Sequence, residues 1–383
     1  MNTSKVYITA LHLKHGGVEM VIASLANAFV EQGIDVEIIS TYNFGEPAYK
    51  IDDKVKITYL TNVLPNREAF SVAIKNKNPI GILKEGFKAA KVLLLKNSTM
   101  KKAIRNISDG IVISTRHDHS IMLSKYGRKN VLKIAQLHFD HKFDKNLIED
   151  FKTKYGNIDY FTLLTDKVTG EIKQAMEGFN SHTKCVTVPN FLNFEPVDLS
   201  IKRNKQVIAA GRLHPDKDFH AMLRIWKKVC SVRNDHILKI AGEGELDAKL
   251  KAYAEELGIS NKVCFMGAVP HGKLLQEMHE SVCYLLTSVS EALPMVLLES
   301  MYCGTPPVAF DLRIGTGSII TDEVNGYIIP DRNEELFADK IIELINKSDE
   351  EIAVLSDNCR ARAKDFSKEK IVDLWLNLFN GHI

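Results

Sequence analysis

No stretch of this 383-residue chain approaches the roughly 18 consecutive apolar residues that a membrane-spanning helix needs. Nor is there a strong excess of either charge. Fifty lysines and arginines stand against 48 acids, a net +2, which excludes the global positive field of a nucleic-acid binder. The six cysteines include no Cys-x-x-Cys pair. Several lie within apolar runs, as Cys283 does in Val282-Cys-Tyr-Leu-Leu286. They read as small core residues in a reducing compartment, with a reactive thiol or metal site as the alternative. The first apolar run, 6–10, is too brief for the core of a signal peptide, so the expected location is cytoplasmic.

What is present is an ordinary globular composition, 45% hydrophobic and 26% charged, on a chain long enough for two domains. Short β-type runs alternate with longer amphipathic stretches. Strands are predicted over 5–10, 34–40, 111–114, 131–137, 160–164 and 184–188, with a first helix over 18–32 whose apolar positions are 21, 22, 25, 26, 29 and 30. The pattern breaks over 189–204, which reads as a linker. A second series then begins, with predicted strands at 206–210, 236–241, 263–266, 282–287 and 307–310. Helices are predicted near 218–232, 245–257, 271–280, 294–303, 333–346 and 349–364, and a last amphipathic stretch covers 368–379. Strands alternating with helices predict an α/β fold of two doubly wound, mostly parallel halves. The expected domains are 1–190 and 191–365, with 366–383 as a C-terminal helix packing back on the first domain. Ligands of such sheets bind beyond the carboxyl ends of the strands, and two facing halves would form a cleft.

Three loops carry the chemistry. The first is Ser288-Val-Ser-Glu291-Ala-Leu-Pro294-Met-Val-Leu-Leu-Glu299-Ser-Met-Tyr-Cys-Gly304-Thr-Pro306. A helix opening near Pro294 and stopped at Gly304 puts Glu291 just ahead of its start and Glu299 one and a half turns in. Free N–H groups and the helix dipole favour a phosphate there, and the two carboxylates can accept hydrogen bonds from hydroxyls. Taken singly, either glutamate could equally be a solvated charge. The second loop, Gly211-Arg-Leu-His-Pro-Asp-Lys217-Asp218, carries two cations, Arg212 and Lys217, able to hold a diphosphate, or else ordinary loop charges. Asp216-Lys-Asp218 spells a metal-type Asp-x-Asp, but Asp218 reads as a helix N-cap and a cation separates the acids. The third, Leu11-His-Leu-Lys-His-Gly16-Gly17-Val-Glu19, has paired glycines before a helix. They suit close approach of backbone to a ligand, or a plain tight turn.

Together these segments resemble the retaining glycosyltransferases of family 4, whose GT-B fold has two facing Rossmann-like domains. The Glu291–Glu299 stretch with its Cys-Gly-Thr-Pro turn resembles that family's signature. Gly211-Arg212 with Lys217 is similar to its diphosphate motif, Gly16-Gly17-Val-Glu19 to its glycine loop, and Asp322-Glu-Val-Asn-Gly-Tyr-Ile-Ile-Pro330 to the hairpin that follows. The family's loop pattern departs at Gly315-Thr-Gly-Ser318, where a Gly-Pro pair is common. The resemblance implies roles. Arg212 and Lys217 grip the donor diphosphate, Glu299 the ribose and Glu291 the transferred sugar. The N–H groups of Leu293 and Met295 hold sugar and phosphate, and Gly16 and Gly17 approach the phosphates. His138, which follows a predicted strand, lies near the donor sugar, or is a structural loop histidine. The implied activity is transfer of a hexose or N-acetylhexosamine from a nucleotide sugar, expected to be UDP-linked, to a glycan, glycolipid or polymer. It proceeds with retention, without metal or other cofactor, in cell-envelope or polysaccharide biosynthesis.

Residues 66–106 carry ten basic and two acidic side chains, a net +8 in a chain of net +2, with apolar residues interleaved. The stretch reads either as a surface for an anionic membrane or as a helix with a core face and a solvated basic face. Two rival functions stay open. An NAD-dependent oxidoreductase would want Gly-x-Gly-x-x-Gly after the first strand, where His15-Gly-Gly-Val-Glu19 stands, and Gly242-Glu-Gly244 lacks the third glycine. A non-catalytic sugar-nucleotide-binding subunit should have lost Lys217 or the acidic pair, and both are present.

Overall fold

The computed structural model describes residues 5–193 and 203–381. In the first part of the chain the elements run β1 (Val6–Ala10), α1 (Gly17–Glu31), β2 (Val36–Tyr42), β3 (Lys56–Thr61), α2 (Arg67–Lys75), α3 (Pro79–Asn106), β4 (Gly110–Ser114), α4 (His117–Tyr126), β5 (Val131–Gln136), α5 (Lys145–Lys154), β6 (Tyr160–Leu163), α6 (Asp166–Met176) and β7 (Lys184–Thr187). The second part has β8 (Gln206–Ala210), α7 (Phe219–Val232), β9 (Ile237–Ala241), α8 (Asp247–Glu256), β10 (Val263–Gly267), α9 (His271–His279), β11 (Tyr284–Leu286), α10 (Met295–Tyr302), β12 (Pro307–Phe310), α11 (Thr316–Ile319), β13 (Tyr327–Ile329), α12 (Glu334–Asn346), α13 (Asp349–Ala363) and α14 (Lys368–Phe379).

Two compact units result. One takes the described residues up to Leu164, with 168–188 and those from Val372 onward; the other takes 165–167 and the described part of 189–371. Each holds one sheet, ordered β3-β2-β1-β4-β5-β6-β7 and β10-β9-β8-β11-β12-β13. Every strand pairing among the described residues is parallel. That accounts for the continuous apolar runs: strands covered by helices on both faces need no polar side. All of β8, Gln-Val-Ile-Ala-Ala, is buried. The polar Thr41 of β2 is buried too, and its hydroxyl donates to Ala10 O at 3.3 Å.

Helix α7 shows how pattern becomes packing. Phe219, Met222, Leu223, Trp226 and Val229 recur at spacings of three and four and are all buried. The Trp226 indole N–H donates to Lys262 O at 2.8 Å, so the core's largest side chain leaves no polar atom unpaired. In the other unit, Trp375 and Phe379 of α14 lie edge-on to Phe29 of α1, at centroid distances of 5.9 and 5.2 Å.

Several expectations need correction. Asp322–Pro330 is not a hairpin. A turn at 321–325 leads into β13, which joins the sheet parallel to β12, Val308 opposite Tyr327. β3 was not anticipated; it is the edge strand beside β2, where half-exposed positions dilute the apolar signal. The stretch 66–106 is two helices, because Asn78 caps α3 and Pro79 takes its first position. Cys283, Cys303 and Cys359 are buried as expected, but Cys264 is exposed. Of the linker placed at 189–204, residues 194–202 lie outside the described residues. No described helix is long and apolar enough to cross a membrane.

In each sheet the strand order reverses at one place, between β1 and β4 and between β8 and β11. Loops leaving the carboxyl ends of strands at such a switch point diverge to opposite faces and leave a crevice. The loops concerned are those around Gly16 and Thr115 in one unit, and those around Lys217 and Glu291 in the other.

Candidate active site

The β8–α7 loop is shaped by neighbouring glycines. A Cβ on Gly242 would fall 2.0 Å from Gly211 O, and one on Gly244 would fall 2.3 Å from Leu213 O. The Gly242-Glu-Gly244 turn therefore packs on the backbone beside Arg212, which explains its glycines without a dinucleotide. The loop closes in a turn at 215–217, and Asp218 caps α7 by accepting from Ala221 N at 3.2 Å. This N-cap is the role expected for Asp218.

The β11–α10 loop is stitched to it. Val289 N donates to Asp216 O at 2.8 Å, and the Thr287 hydroxyl reaches the carbonyls of Lys217 and Asp218 at 3.0 and 3.1 Å. These bonds bring Lys217 and Glu291 together. Lys217 Nζ lies 2.5 Å from Glu291 Oε1, and the same oxygen accepts from Ser288 Oγ at 2.7 Å. Helix α10 begins after Pro294 with no side-chain cap. Neither Leu293 N nor Met295 N donates to a protein acceptor among the described residues. An uncapped helix start with a cation–carboxylate pair beside it can bind an oxyanion through N–H groups and Lys217 while Glu291 accepts from hydroxyls.

Arg212 and Glu299 stand outside that pair. The Arg212 side chain is exposed and makes no hydrogen bond or ion pair among the described residues, so its five donors are available. Glu299 faces the start of α9, where His271 Nε2 lies 3.2 Å from its Oε1, and its side chain is only 12% exposed. His271 had no motif to announce it. Arg332, which bonds to both loops, was missed for the same reason.

Gly16, Gly17 and His138 belong to the other unit. Gly16 precedes α1, and a Cβ there would fall 2.0 Å from Glu19 Oε2, so the carboxylate folds back over the glycine. Gly17 has open space around its Cβ position. Glu19 and His138 line one cavity of about 420 Å³ with Thr115, Arg116 and Asp118. Both ring nitrogens of His138 are shielded from solvent and have no hydrogen-bond partner among the described residues. Burial pushes its pKa down to about 4, so the imidazole is neutral at pH 7 and offers one donor and one acceptor. Asp118 is held by Lys96 at 2.6 Å and by Arg116 at 3.1 Å. The Thr115-Arg-His-Asp118 run after β4 could have signalled this polar wall.

The family model of the glycosyl transferases group 1 matches residues 193–365, the segment that carries Arg212, Lys217, Glu291 and Glu299. The matched segment belongs to that family. The chain is also 27% identical to an uncharacterized glycosyltransferase of Haemophilus influenzae, over 94% of this chain and 95% of that one. It is 27% identical to an undecaprenol-linked-glycan alpha-1,4-N-acetyl-D-galactosaminyltransferase of Campylobacter jejuni, over 98% of each. Among solved structures, a variant of S. aureus TarM in complex with fondaparinux, alpha-GlcNAc-glycerol and UDP superposes with a TM-score of 0.76 at 18% identity, covering 98% of this chain and 100% of that one. The fold is GT-B, and the protein is a glycosyltransferase. In this glycosyltransferase the paired Lys217 and Glu291, the uncapped start of α10 and Glu299 all lie within the matched segment.

Proposed function

We propose that this glycosyltransferase moves a hexose or N-acetylhexosamine from a UDP-sugar, with retention, to a glycan, polymer or lipid-linked acceptor of the cell envelope. The observation that carries the reading is the contact of Lys217 with Glu291 beside the free N–H groups of α10. In the reaction the anomeric C–O bond breaks and its electron pair goes to the β-phosphate. The acceptor oxygen bonds to the anomeric carbon from the same face, and its proton passes to the departing phosphate. Lys217, Arg212 and the helix start stabilise the growing phosphate charge. Glu291 accepts hydrogen bonds from the transferred sugar, and Glu299 from the ribose. Two cations and a helix start supply the positive charge, so the reading needs no metal. For Gly16, Gly17 and His138 the resemblance supplies the roles: backbone approach to the phosphates and a hydrogen bond to the donor sugar. A UDP donor is supported by the UDP bound in TarM, and an acetylated hexosamine and a polyprenol-linked acceptor by the name of the Campylobacter relative.

Thermal unfolding tests the donor. UDP and UDP-N-acetylhexosamines are expected to raise the melting temperature, by an amount equivalent to about 2.7 kcal/mol at 100 times Kd, whereas GDP and NADH leave it unchanged. A shift with NADH alone would reverse the reading in favour of an oxidoreductase. A shift with UDP but no donor hydrolysis or transfer would favour the non-catalytic subunit.

The same proposal places the enzyme at the cytoplasmic face of an anionic membrane. On α3 the side chains of Ile80, Leu83, Phe87 and Leu94, at spacings of three, four and seven, are 79%, 64%, 76% and 71% exposed. The exposed Lys84, Lys88 and Lys91 flank this stripe, while Val92, Met100 and Ile104 take the buried side. A solvated basic face alone would not expose four large apolar side chains in one row. Co-sedimentation with phosphatidylglycerol vesicles is expected at low salt and weakened in 0.5 M NaCl. Phe87→Glu should weaken it at least about tenfold, since burying such a ring contributes about 1.5–3 kcal/mol. Equal binding to neutral vesicles, or none to anionic ones, would remove the membrane from the reading.

A further inference from the structure

Arg332 sits in the turn after β13 with φ +51°, and Asp331 before it has φ +52°. Two successive non-glycine residues in the left-handed region cost about 1–2 kcal/mol each. Such strain persists only where surrounding contacts hold it. Here a backbone bond from Asn333 N to Pro330 O closes the turn, and the side-chain contacts come from one guanidinium. Arg332 Nη2 donates to Asp218 Oδ2 at 2.5 Å and to Thr287 O at 3.0 Å, and Nη1 donates to Ser288 O at 2.9 Å. The guanidinium also lies over the Phe310 ring, 4.3 Å from its centroid. Asp218 is the residue after Lys217. Thr287 and Ser288 open the loop that carries Glu291, and Ser288 itself bonds to Glu291. A single planar fork thus spans both loops of the candidate site, an arrangement that lysine's point charge cannot reproduce.

We propose that Arg332 is a positioning residue for transfer: it fixes the β8–α7 loop against the β11–α10 loop, and so sets the placement of Lys217 and Glu291 around the donor. The inference rests on the donor-site reading above. Without the fork the two loops keep the Val289–Asp216 backbone bond and the Thr287 hydroxyl contacts but gain freedom, and misplacing a catalytic group by about 1 Å can lower a rate on the order of 100-fold.

Arg332→Gly separates positioning from stability, because glycine adopts φ +51° without strain while removing the guanidinium. The expected result is a kcat lowered at least about tenfold, a melting temperature close to that of the wild type, and partial recovery of kcat on adding methylguanidinium. Arg332→Lys should fall between the two, since it keeps the charge facing Asp218 but cannot span both carbonyls. Lys5→Ala is the control: it breaks ion pairs with Asp35 and Glu37 in the other unit, and should lower stability with kcat kept. Amide exchange supplies a readout independent of activity, and Arg332→Gly should speed exchange in 211–218 and 287–293. Wild-type kcat in Arg332→Gly, unchanged exchange in those loops, or a loss of activity that merely follows lost stability would each overturn the inference. A wild-type enzyme without transfer from any nucleotide sugar would instead count against the proposed function, and the exchange measurement would still decide whether Arg332 orders the loops.

Discussion

Lys217→Ala is expected to lower kcat about 100- to 1,000-fold, the loss typical of removing one preorganised donor from a site of developing negative charge. Lys217 touches Glu291, which lies in the loop just ahead of an uncapped helix start. The effect should fall on kcat more than on donor KM, because the phosphate gains charge as the anomeric bond breaks. The fold should survive. With Lys217 and Glu291 side chains 23% and 14% exposed, water screens part of the lost attraction, and Glu291 keeps the Ser288 hydroxyl. A stability loss of about 1 kcal/mol is therefore expected. Lys217→Arg should recover part of the rate, since the charge is kept and its geometry altered. Steady-state kinetics with a saturating donor, paired with thermal melts, check both halves. A kcat within threefold of the wild type would remove Lys217 from the chemistry.

Glu299→Ala is expected to act differently, raising donor KM about 10- to 100-fold and leaving kcat at saturation within a few-fold. A hydrogen bond to a charged group contributes about 1.5–3 kcal/mol, and each 1.4 kcal/mol is tenfold in affinity. The ribose lies away from the reacting carbon, so this bond forms equally in ground and transition states. The carboxylate is nearly enclosed, and its side-chain partner among the described residues is His271. Calorimetric titration with UDP and 2′-deoxy-UDP gives the sharper check. The wild type should favour UDP about tenfold or more, and Glu299→Ala should bind the two alike. Preserved discrimination in the variant would detach Glu299 from the ribose.

The second half of the chain was legible almost element by element, and the reason lies in burial. Its strands β8, β11 and β12 are buried along their whole length, and helices such as α7 and α12 alternate a buried stripe with a solvated one. Either situation writes a strong local period. The site loops were legible for a related cause: Gly211, Asp218, Pro294 and Gly304 each satisfy a backbone need at a turn or helix end, and such needs act over three or four residues. Signals failed where burial was partial. β3 is an edge strand with half-exposed positions, and the turn before β13 looked like one arm of a hairpin until its partner proved to be the parallel β12.

Local pattern was thus enough for the two doubly wound halves and for the positions of Arg212, Lys217, Glu291 and Glu299 at strand ends and a helix start. It could not say that Lys217 bonds to Glu291, that Glu299 faces His271, or that Arg332 reaches both site loops. Those pairs are separated by 74, 28 and up to 114 residues along the chain. A contact across such distances leaves no period in the neighbouring residues, because it arises only when strand order brings separate loops to the same end of the sheet. The exposed apolar row on α3 has the same origin. Composition showed charge and apolar residues mixed, and packing against the rest of its unit chose which side of the helix would be covered and which left bare.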